Sequence, residues 1–280
     1  MKNILITGSN GFIGNALFNK LSENPKLSVK GVDLYDIEKN NCYNIDLSER
    51  SEIFESLVKE ADIIFHFAAS VGVENINFIN SYKIDNNLFN IIENLENPPK
   101  IIYASSSEVF GDNENITDAS DFKITNIYRS GYAIQKLMSE RLFQPYGVIV
   151  RFFNVIGLNQ SSEHGFVIPR FIESAKNNED ILVYQPDSTR SFIDLRNVVD
   201  ILEKLINENP KQLNIGTDKK YTILEVAEIT KKIFESSSEI KIVSKRNDEI
   251  KHRNVFTDLS KYVEDFYTLE DTLRYIKDNK

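Results

Sequence analysis

Along the first half of the chain, short apolar runs alternate with stretches in which apolar residues recur every three or four positions. The runs Lys2–Thr7 (KNILIT), Leu27–Asp33 (LSVKGVD), Asp62–Phe67 (DIIFHF), Lys100–Ser105 (KIIYAS) and Gly147–Phe152 (GVIVRF) predict buried strands. The periodic stretches Gly11–Leu21, Ser51–Lys59, Asn86–Leu95 and Tyr132–Phe143 predict helices. Near-continuous apolar strands that alternate with helices predict an α/β fold, a doubly wound parallel sheet covered on both faces.

Beyond Phe153 this rhythm changes. Asn159–Gly165 is polar and loop-like, Ile168–Lys176 reads as a helix, and Ile181–Tyr184 and Ser191–Ile193 read as short strands. Asn197–Asn207 is amphipathic at the helical period, and Leu213–Gly216 predicts a strand that returns to the sheet. Thr222 and Glu225 have the spacing of a capping box at the head of a helix over Thr222–Phe234. We therefore expect a cofactor-binding domain over residues 1–155, with 190–216 returning to it. Residues 156–189 and 217–280 then form a smaller, interleaved C-terminal substrate lobe near the carboxyl ends of the strands, where such sheets bind ligands.

With 280 residues, 41% hydrophobic and 27% charged, the chain has the makeup of a globular protein with room for a substantial core. Its net charge is −9 and its Lys and Arg residues are scattered, so no footprint for nucleic acid is present. No apolar run reaches the roughly 18 residues of a membrane span, and the N-terminus enters a strand pattern without a signal-peptide cleavage region. The single cysteine, Cys42, fits a reducing compartment, and a cytoplasmic protein is expected. His66, His164 and His252 are isolated and lack ligand spacing, so no metal site is expected.

The stretch Thr7-Gly8-Ser9-Asn10-Gly11-Phe12-Ile13-Gly14 joins the first strand to the first helix. A helix N-terminus offers unpaired N–H groups and a partial positive charge, and so attracts phosphate. Gly8 allows the tight turn, Gly11 lets a pyrophosphate approach the backbone, and Gly14 lets the helix pack close to the sheet. Asp33 ends the second strand, where a carboxylate accepts hydrogen bonds from an adenosine ribose. Together these predict a Rossmann-type dinucleotide site. A carboxylate at that point repels a 2′-phosphate, which favours NAD over NADP.

A second constellation lies further on. The strand KIIYAS runs into Ser105-Ser106-Ser107-Glu108-Val109-Phe110-Gly111, on the sheet edge where ligands bind. Tyr132 and Lys136 are four apart and share one helix face. An ammonium near a phenol favours the phenolate. The phenolate can take a proton from a sugar hydroxyl while hydride leaves for NAD⁺, with Ser106 hydrogen-bonded to the same hydroxyl. His66 reads as a strand-end histidine satisfied by buried polar neighbours, and Arg151 as a residue that ties the fold together. Tyr128 and Arg129 precede the tyrosine and either line the pocket or belong to an exposed loop.

The ordered set TGSNGFIG (Thr7–Gly14), Asp33, Asp46-Leu47, HFAAS (His66–Ser70), SSSEVFG (Ser105–Gly111), YAIQK (Tyr132–Lys136), RFFNVIG (Arg151–Gly157), TRSFIDLRNVVD (Thr189–Asp200), NIGT (Asn214–Thr217) and Asp258-Leu259-Ser260-Lys261 resembles the extended short-chain dehydrogenase/reductase family. Its members include the NAD-dependent nucleotide-sugar epimerases and dehydratases. The resemblance covers nearly the whole chain. It implies that Gly8, Asn10, Gly11, Phe12, Ile13 and Gly14 cradle the pyrophosphate, that Asp33 holds the ribose, that Asp46 and Leu47 flank the adenine, and that Ala68, Ala69 and Ser105 also contact NAD. Tyr132 is then the base, Lys136 its activator and a ribose ligand, and Ser106 the third member. Ser106, Ser107, Asn154 and Arg190 fall on the nucleotide sugar. A late arginine usually helps there, and Arg246 and Arg253 compete for that role.

The family diverges after oxidation at carbon 4. A 4-epimerase returns hydride to the other face of the ketone. A 4,6-dehydratase removes the proton at carbon 5 and eliminates water, and a uronate decarboxylase loses carbon 6. Glu108, in the Ser-Glu pair, resembles the carbon 5 base of dehydratases and the Ser-Glu of UDP-glucuronate decarboxylases, though epimerase-like members share it. We expect a UDP-sugar 4-epimerase of surface polysaccharide or glycan precursor synthesis, with decarboxylation or 4,6-dehydration through Glu108 as the alternative. A 4-keto-sugar reductase and a non-catalytic NAD-binding protein rank lower. The substrate lobe is shorter than usual for the family, and a homodimer through the Tyr132 helix and the helix before it is implied.

Overall fold

The computed structural model describes residues 1–35, 39–70, 77–117, 120–122, 130–162, 165–243 and 251–279; Tyr128, Arg129, His164 and Arg246 lie outside the described residues. The first half builds β1 (Lys2–Thr7), α1 (Phe12–Ser22), β2 (Leu27–Asp33), β3 (Cys42–Asn44), α2 (Glu52–Glu60), β4 (Ile63–His66), α3 (Phe78–Ile92), β5 (Lys100–Ser106), β6 (Asn113–Ile116), α4 (Ser130–Phe143) and β7 (Gly147–Phe152). There follow β8 (Val155–Ile156), α5 (Val167–Asn177), β9 (Ile181–Tyr184), β10 (Thr189–Ser191), β11 (Ile193–Asp194), α6 (Leu195–Lys204) and β12 (Gln212–Ile215). The chain closes with β13 (Lys220–Thr222), α7 (Ile223–Ile233), β14 (Ile240–Val243), β15 (His252–Val255) and α8 (Leu269–Asp278).

Seven strands form one parallel sheet in the order β12-β7-β5-β4-β1-β2-β3. The last four residues of β1 are buried on both faces, which accounts for the unbroken apolar run ILIT. On one face α1 and α6 bring Leu17, Leu21, Val198, Ile201 and Leu202 onto the sheet. On the other, α2 and α3 bring Phe54, Leu57, Leu88 and Ile92 against Leu5, Ile64 and Tyr103. The chain runs outward from β1 through β2 to β3 and then restarts at β4 on the other side of β1. That reversal opens a crevice at the carboxyl ends of β1 and β4, the place where such sheets hold ligands.

Leu213–Gly216 predicted the return to the sheet, and β12 pairs with β7, Leu213 opposite Val150. Thr222 and Glu225 form a complete capping box on α7. The short strands β3, β6, β8, β13, β14 and β15 were not marked by the sequence pattern, and other elements differ from it. α3 starts at Phe78 rather than Asn86, capped by the Asn77 side chain on the Asn80 N–H. Its asparagines are weak helix formers, and the burial of Ser81, Ile84, Leu88 and Ile92 on one stripe overrides them. The single strand expected at Ser191–Ile193 is two, β10 and β11, which join different sheets. The charged C-terminal stretch holds α8, started by a second capping box, Thr268 with Asp271.

The C-terminal part has its own apolar cluster, with Ile168, Phe171 and Ile172 of α5 against Val226 of α7 and Leu273 and Ile276 of α8. Leu259, Tyr262 and Val263 instead pack with the main sheet. A four-stranded sheet, β13-β10-β15-β6, carries Arg190 and Arg253 side by side in register. No helix among the described residues is long and apolar enough to cross a membrane.

Arg151 of β7 is buried and clamps Glu140 of α4 through two hydrogen bonds, Nε to Oε1 at 2.8 Å and Nη2 to Oε2 at 2.7 Å. Its guanidinium also lies over the rings of Phe110 and Phe122, 5.3 and 4.9 Å from their centroids. Removing one member leaves a buried charge unmatched. Glu140→Ala should therefore lower the unfolding free energy by about 3–5 kcal/mol in urea denaturation.

Candidate active site

The turn after β1 is built for close approach. Gly8 has φ +70°, and a Cβ there would stand 2.8 Å from the Ala68 N. A Cβ on Gly14 would stand 2.1 Å from the Gly8 carbonyl oxygen, so only glycine lets α1 rise this close to the turn. α1 starts after Gly11 with no side-chain cap, which leaves the N–H groups of its first turn, at Phe12 and Ile13, to an anion. At the neighbouring strand end Asp33 is held by two backbone donors, Asn10 N–H to Oδ2 at 2.8 Å and Tyr35 N–H to Oδ1 at 3.2 Å. Two glycines that no side chain could replace, an uncapped helix start and a fixed carboxylate one strand away fit a dinucleotide with a free ribose diol.

Further out, Asp46 is exposed and accepts from the Ser48 N–H and hydroxyl. The Leu47 side chain is buried beneath α2 and α3, and its carbonyl accepts from Asn87 Nδ2. Ala68 and Ala69 are half-buried beside the Gly8 turn, with the Ala68 N–H on the Thr7 hydroxyl. Ser105 places its hydroxyl on Glu140, and its backbone lies in the β5–β7 ladder opposite Arg151.

Tyr132 and Lys136 lie one turn apart on α4, with the Lys136 Nζ 5.9 Å from the Tyr132 ring centroid. Lys136 is only 3% exposed and donates to the Tyr103 hydroxyl (3.2 Å) and the Ala104 carbonyl (2.8 Å). Burial pushes its ammonium below the usual lysine range, against the opposing pull of the Asp85 and Glu140 charges. An ammonium has three donors, so two bonds leave one for a ribose or the phenol oxygen.

Ser106 ends β5 and caps the following 3-10 turn, its hydroxyl accepting from the Glu108 N–H. Ser107 and Glu108 are buried in that turn. Both Glu108 oxygens are bound by Arg253 of β15, Nη1 to Oε1 and Nη2 to Oε2, each at 2.8 Å. The sequence pattern offered Glu108 and Arg253 as separate candidates; the fold joins them across 145 positions. The third guanidinium nitrogen of Arg253, Nε, is buried with no hydrogen-bond partner among the described residues. Arg190 donates from Nη1 to the carbonyls of Thr189 and Lys251. Asn154 has φ +22° and donates from Nδ2 to the Ser191 carbonyl, which draws β10 towards the end of β7.

Sequence reasoning missed Asp85, Tyr103 and Gln135. Asp85 is wholly buried on α3 and accepts from Tyr103 Oη (2.8 Å) and Gln135 Nε2 (2.7 Å), with His66 Nε2 at 3.0 Å. A signal was available: Asp85 falls on the same helical stripe as Ile84, Leu88 and Ile92, where a carboxylate needs buried partners.

The sequence pattern of the NAD dependent epimerase/dehydratase family matches residues 4–216. A UDP-N-acetyl-alpha-D-glucosaminuronate decarboxylase of Bacillus cytotoxicus is 32% identical over 265 residues, covering 85% of this chain and 82% of that protein. UDP-glucuronic acid decarboxylase 3 of Arabidopsis thaliana is 28% identical over 280 residues, covering 92% of this chain and 81% of that protein. In fold, the chain is similar to a UDP-N-acetylglucosamine 4-epimerase from Methanobrevibacter ruminantium, solved with UDP-N-acetylmuramic acid. Its TM-score is 0.83 at 24% identity, over 100% of this chain and 99% of that one. Asp33→Ala should weaken NAD binding about tenfold by calorimetry, the loss of one charged hydrogen bond to the ribose.

Proposed function

On the premise that this chain belongs to the NAD dependent epimerase/dehydratase family, we propose that it oxidises a UDP-linked uronic acid at carbon 4 and then removes the carboxylate at carbon 6. NAD, the cofactor of the family, would be held by the Gly8–Gly14 turn and Asp33 and would supply the hydride acceptor for carbon 4 and the hydride donor at the end. The observation that carries the uronate reading is the buried Glu108–Arg253 pair with its unpartnered Arg253 Nε–H. Burying a carboxylate and a guanidinium is costly, and an orphaned buried donor adds about 1–3 kcal/mol. A carboxylate at carbon 6 supplies an acceptor for that donor. The names of the two curated relatives support the same reading.

Tyr132, helped by the Lys136 charge, takes the proton of the 4-hydroxyl, and Ser106 holds the same oxygen. The 4-ketone makes the sugar a β-keto acid. The bond between carbons 5 and 6 breaks, carbon dioxide leaves, and the electron pair moves onto the ketone oxygen. Carbon 5 then takes a proton from solvent water, and we assign Glu108, a carboxylate oriented by Arg253, to hold that water. Arg190 beside Arg253 supplies a second cation for the diphosphate, Asn154 and Ser107 complete the sugar's surroundings, and the lobe of 156–189 and 217–280 encloses the nucleotide. We place this chemistry in the cytoplasm, in keeping with the single cysteine.

The second reading is 4-epimerisation, the first choice of the sequence pattern. It is favoured by the engagement of both Glu108 oxygens with Arg253, because epimerisation uses Tyr132 and leaves Glu108 out of the chemistry. We also propose a homodimer through α3 and α4. Their outer surfaces carry Phe78, Ile79, Ile134 and Met138, all more than 40% exposed, an apolar patch of the kind that marks an interface.

Tyr132→Phe should reduce turnover by about 10²–10⁴-fold while NAD stays bound. Mass spectrometry of products from UDP-glucuronate, UDP-N-acetylglucosaminuronate and UDP-glucose decides between the readings: loss of carbon dioxide from a uronate is expected, and a carbon 4 epimer from a neutral sugar alone would replace it with epimerisation. Glu108→Gln should leave the first oxidation and the loss of carbon dioxide in place and slow the protonation at carbon 5 and the return of hydride, so that NADH absorbance accumulates. Ile134→Glu combined with Met138→Glu should halve the mass measured by light scattering.

A further inference from the structure

A chain of buried polar groups runs from the cofactor turn to Lys136. The Thr7 hydroxyl lies 2.7 Å from His66 Nδ1 and 3.2 Å from each of the Phe67 and Ala68 backbone nitrogens. Those two N–H groups fill the acceptor side of the hydroxyl, so its own proton goes to Nδ1. His66 is then the tautomer that carries its proton on Nε2, and it donates that proton to Asp85 Oδ1. Asp85 Oδ2 takes protons from Tyr103 Oη and Gln135 Nε2. With its proton committed to Asp85, the Tyr103 oxygen accepts from Lys136 Nζ, which also lies 4.8 Å from the Tyr103 ring centroid.

The charges around this chain leave Asp85 and Lys136 to each other. From β4 the facing group is His66, from β5 Tyr103 and Ser105, and from α4 itself Tyr132, Gln135, Ser139 and Glu140. Glu140 is clamped by Arg151 of β7, and Glu108 of the 3-10 turn is clamped by Arg253. Asp85 meets Tyr103 and Gln135, which carry no charge, and the Nε2–H of His66. Resting on the reading of Tyr132 and Lys136 given above, we infer that Asp85 is a positioning residue of the catalytic pair, which through Tyr103 fixes the Lys136 ammonium beside Tyr132 and balances its charge.

The directions of ionisation agree with this geometry. Burial works against the Asp85 carboxylate, yet the His66 hydrogen bond and the Lys136 charge hold it below the usual aspartate range. Burial, with the Asp85 charge, pushes the Tyr103 phenol well above its ordinary value, so its proton stays on the Asp85 side. Removing the Asp85 charge makes the buried ammonium less favourable. Tyr132 then loses its positive neighbour, and its phenolate forms at higher pH. The direct effect of a lost negative charge on Tyr132 has the opposite sign, so the direction of the shift separates the two.

The test is spectrophotometric titration of tyrosinate in the full chain, which needs no substrate. The Tyr132 signal is the difference between each protein and its counterpart that also carries Tyr132→Phe. Asp85→Asn should move the Tyr132 ionisation to higher pH by about one unit, a tenfold change in its acid dissociation. Tyr103→Phe keeps the ring packing, removes the link and should move it the same way, and it carries the test if Asp85→Asn does not fold. An ionisation that stays in place in the folded variants, or moves to lower pH, overturns the role of Asp85 and leaves the proposed reaction standing. A wild-type protein in which Tyr132 ionises like an ordinary tyrosine overturns both.

Discussion

A charge taken out of water has to be met by another, and the active-site side of this protein is organised around that constraint. Three cations are buried where β5, β7 and β15 meet α4 and the 3-10 turn. Arg151 is met by Glu140, Arg253 by Glu108, and Lys136 by Asp85 through the Tyr103 hydroxyl. The first pair fastens α4 to the sheet. The second sets two charges beside Ser106. The third suspends an ammonium under Tyr132. Since Glu140 and Lys136 both belong to α4, the packing that holds the helix also aims the groups that would do chemistry.

This explains an inversion on α4. Its buried positions include Gln135, Lys136, Ser139 and Glu140, whereas Ile134 and Met138 are exposed. A helix with polar residues inside and apolar ones outside gains little from packing as a monomer. It makes sense where the inward face is a satisfied polar network and the outward face meets a second surface.

The cofactor end depends on steric closeness instead. Gly8 and Gly14 let α1 begin almost on top of the β1 turn, and the Thr7 hydroxyl ties that turn to the Phe67–Ala68 backbone and to His66. The glycine turn and α4 are therefore joined through His66, Asp85 and Tyr103 by hydrogen bonds that cross β1, β4, α3 and β5.

Much of this was legible in the chain itself. Apolar runs marked β1, β2, β4, β5 and β7 because strands buried on both faces must be apolar throughout. The glycine spacing marked the tight turn between β1 and α1, since local backbone geometry demands those residues there. Thr222 with Glu225 marked the start of α7 for the same local reason. Other features were not legible, because they depend on residues distant in sequence. The pairing of Glu108 with Arg253 spans 145 positions, and the start of α3 was hidden by asparagines that only packing makes helical. Asp85 could be noticed as a carboxylate on an apolar stripe, but its partners come from β4, β5 and α4. The sequence by itself determined the sheet, the cofactor turn and the Tyr132–Lys136 face, because each follows from periodicity or from neighbours within a few residues. Only the tertiary structure decided which buried charges meet, because matching charges in a low-dielectric interior depends on where the folded elements cross.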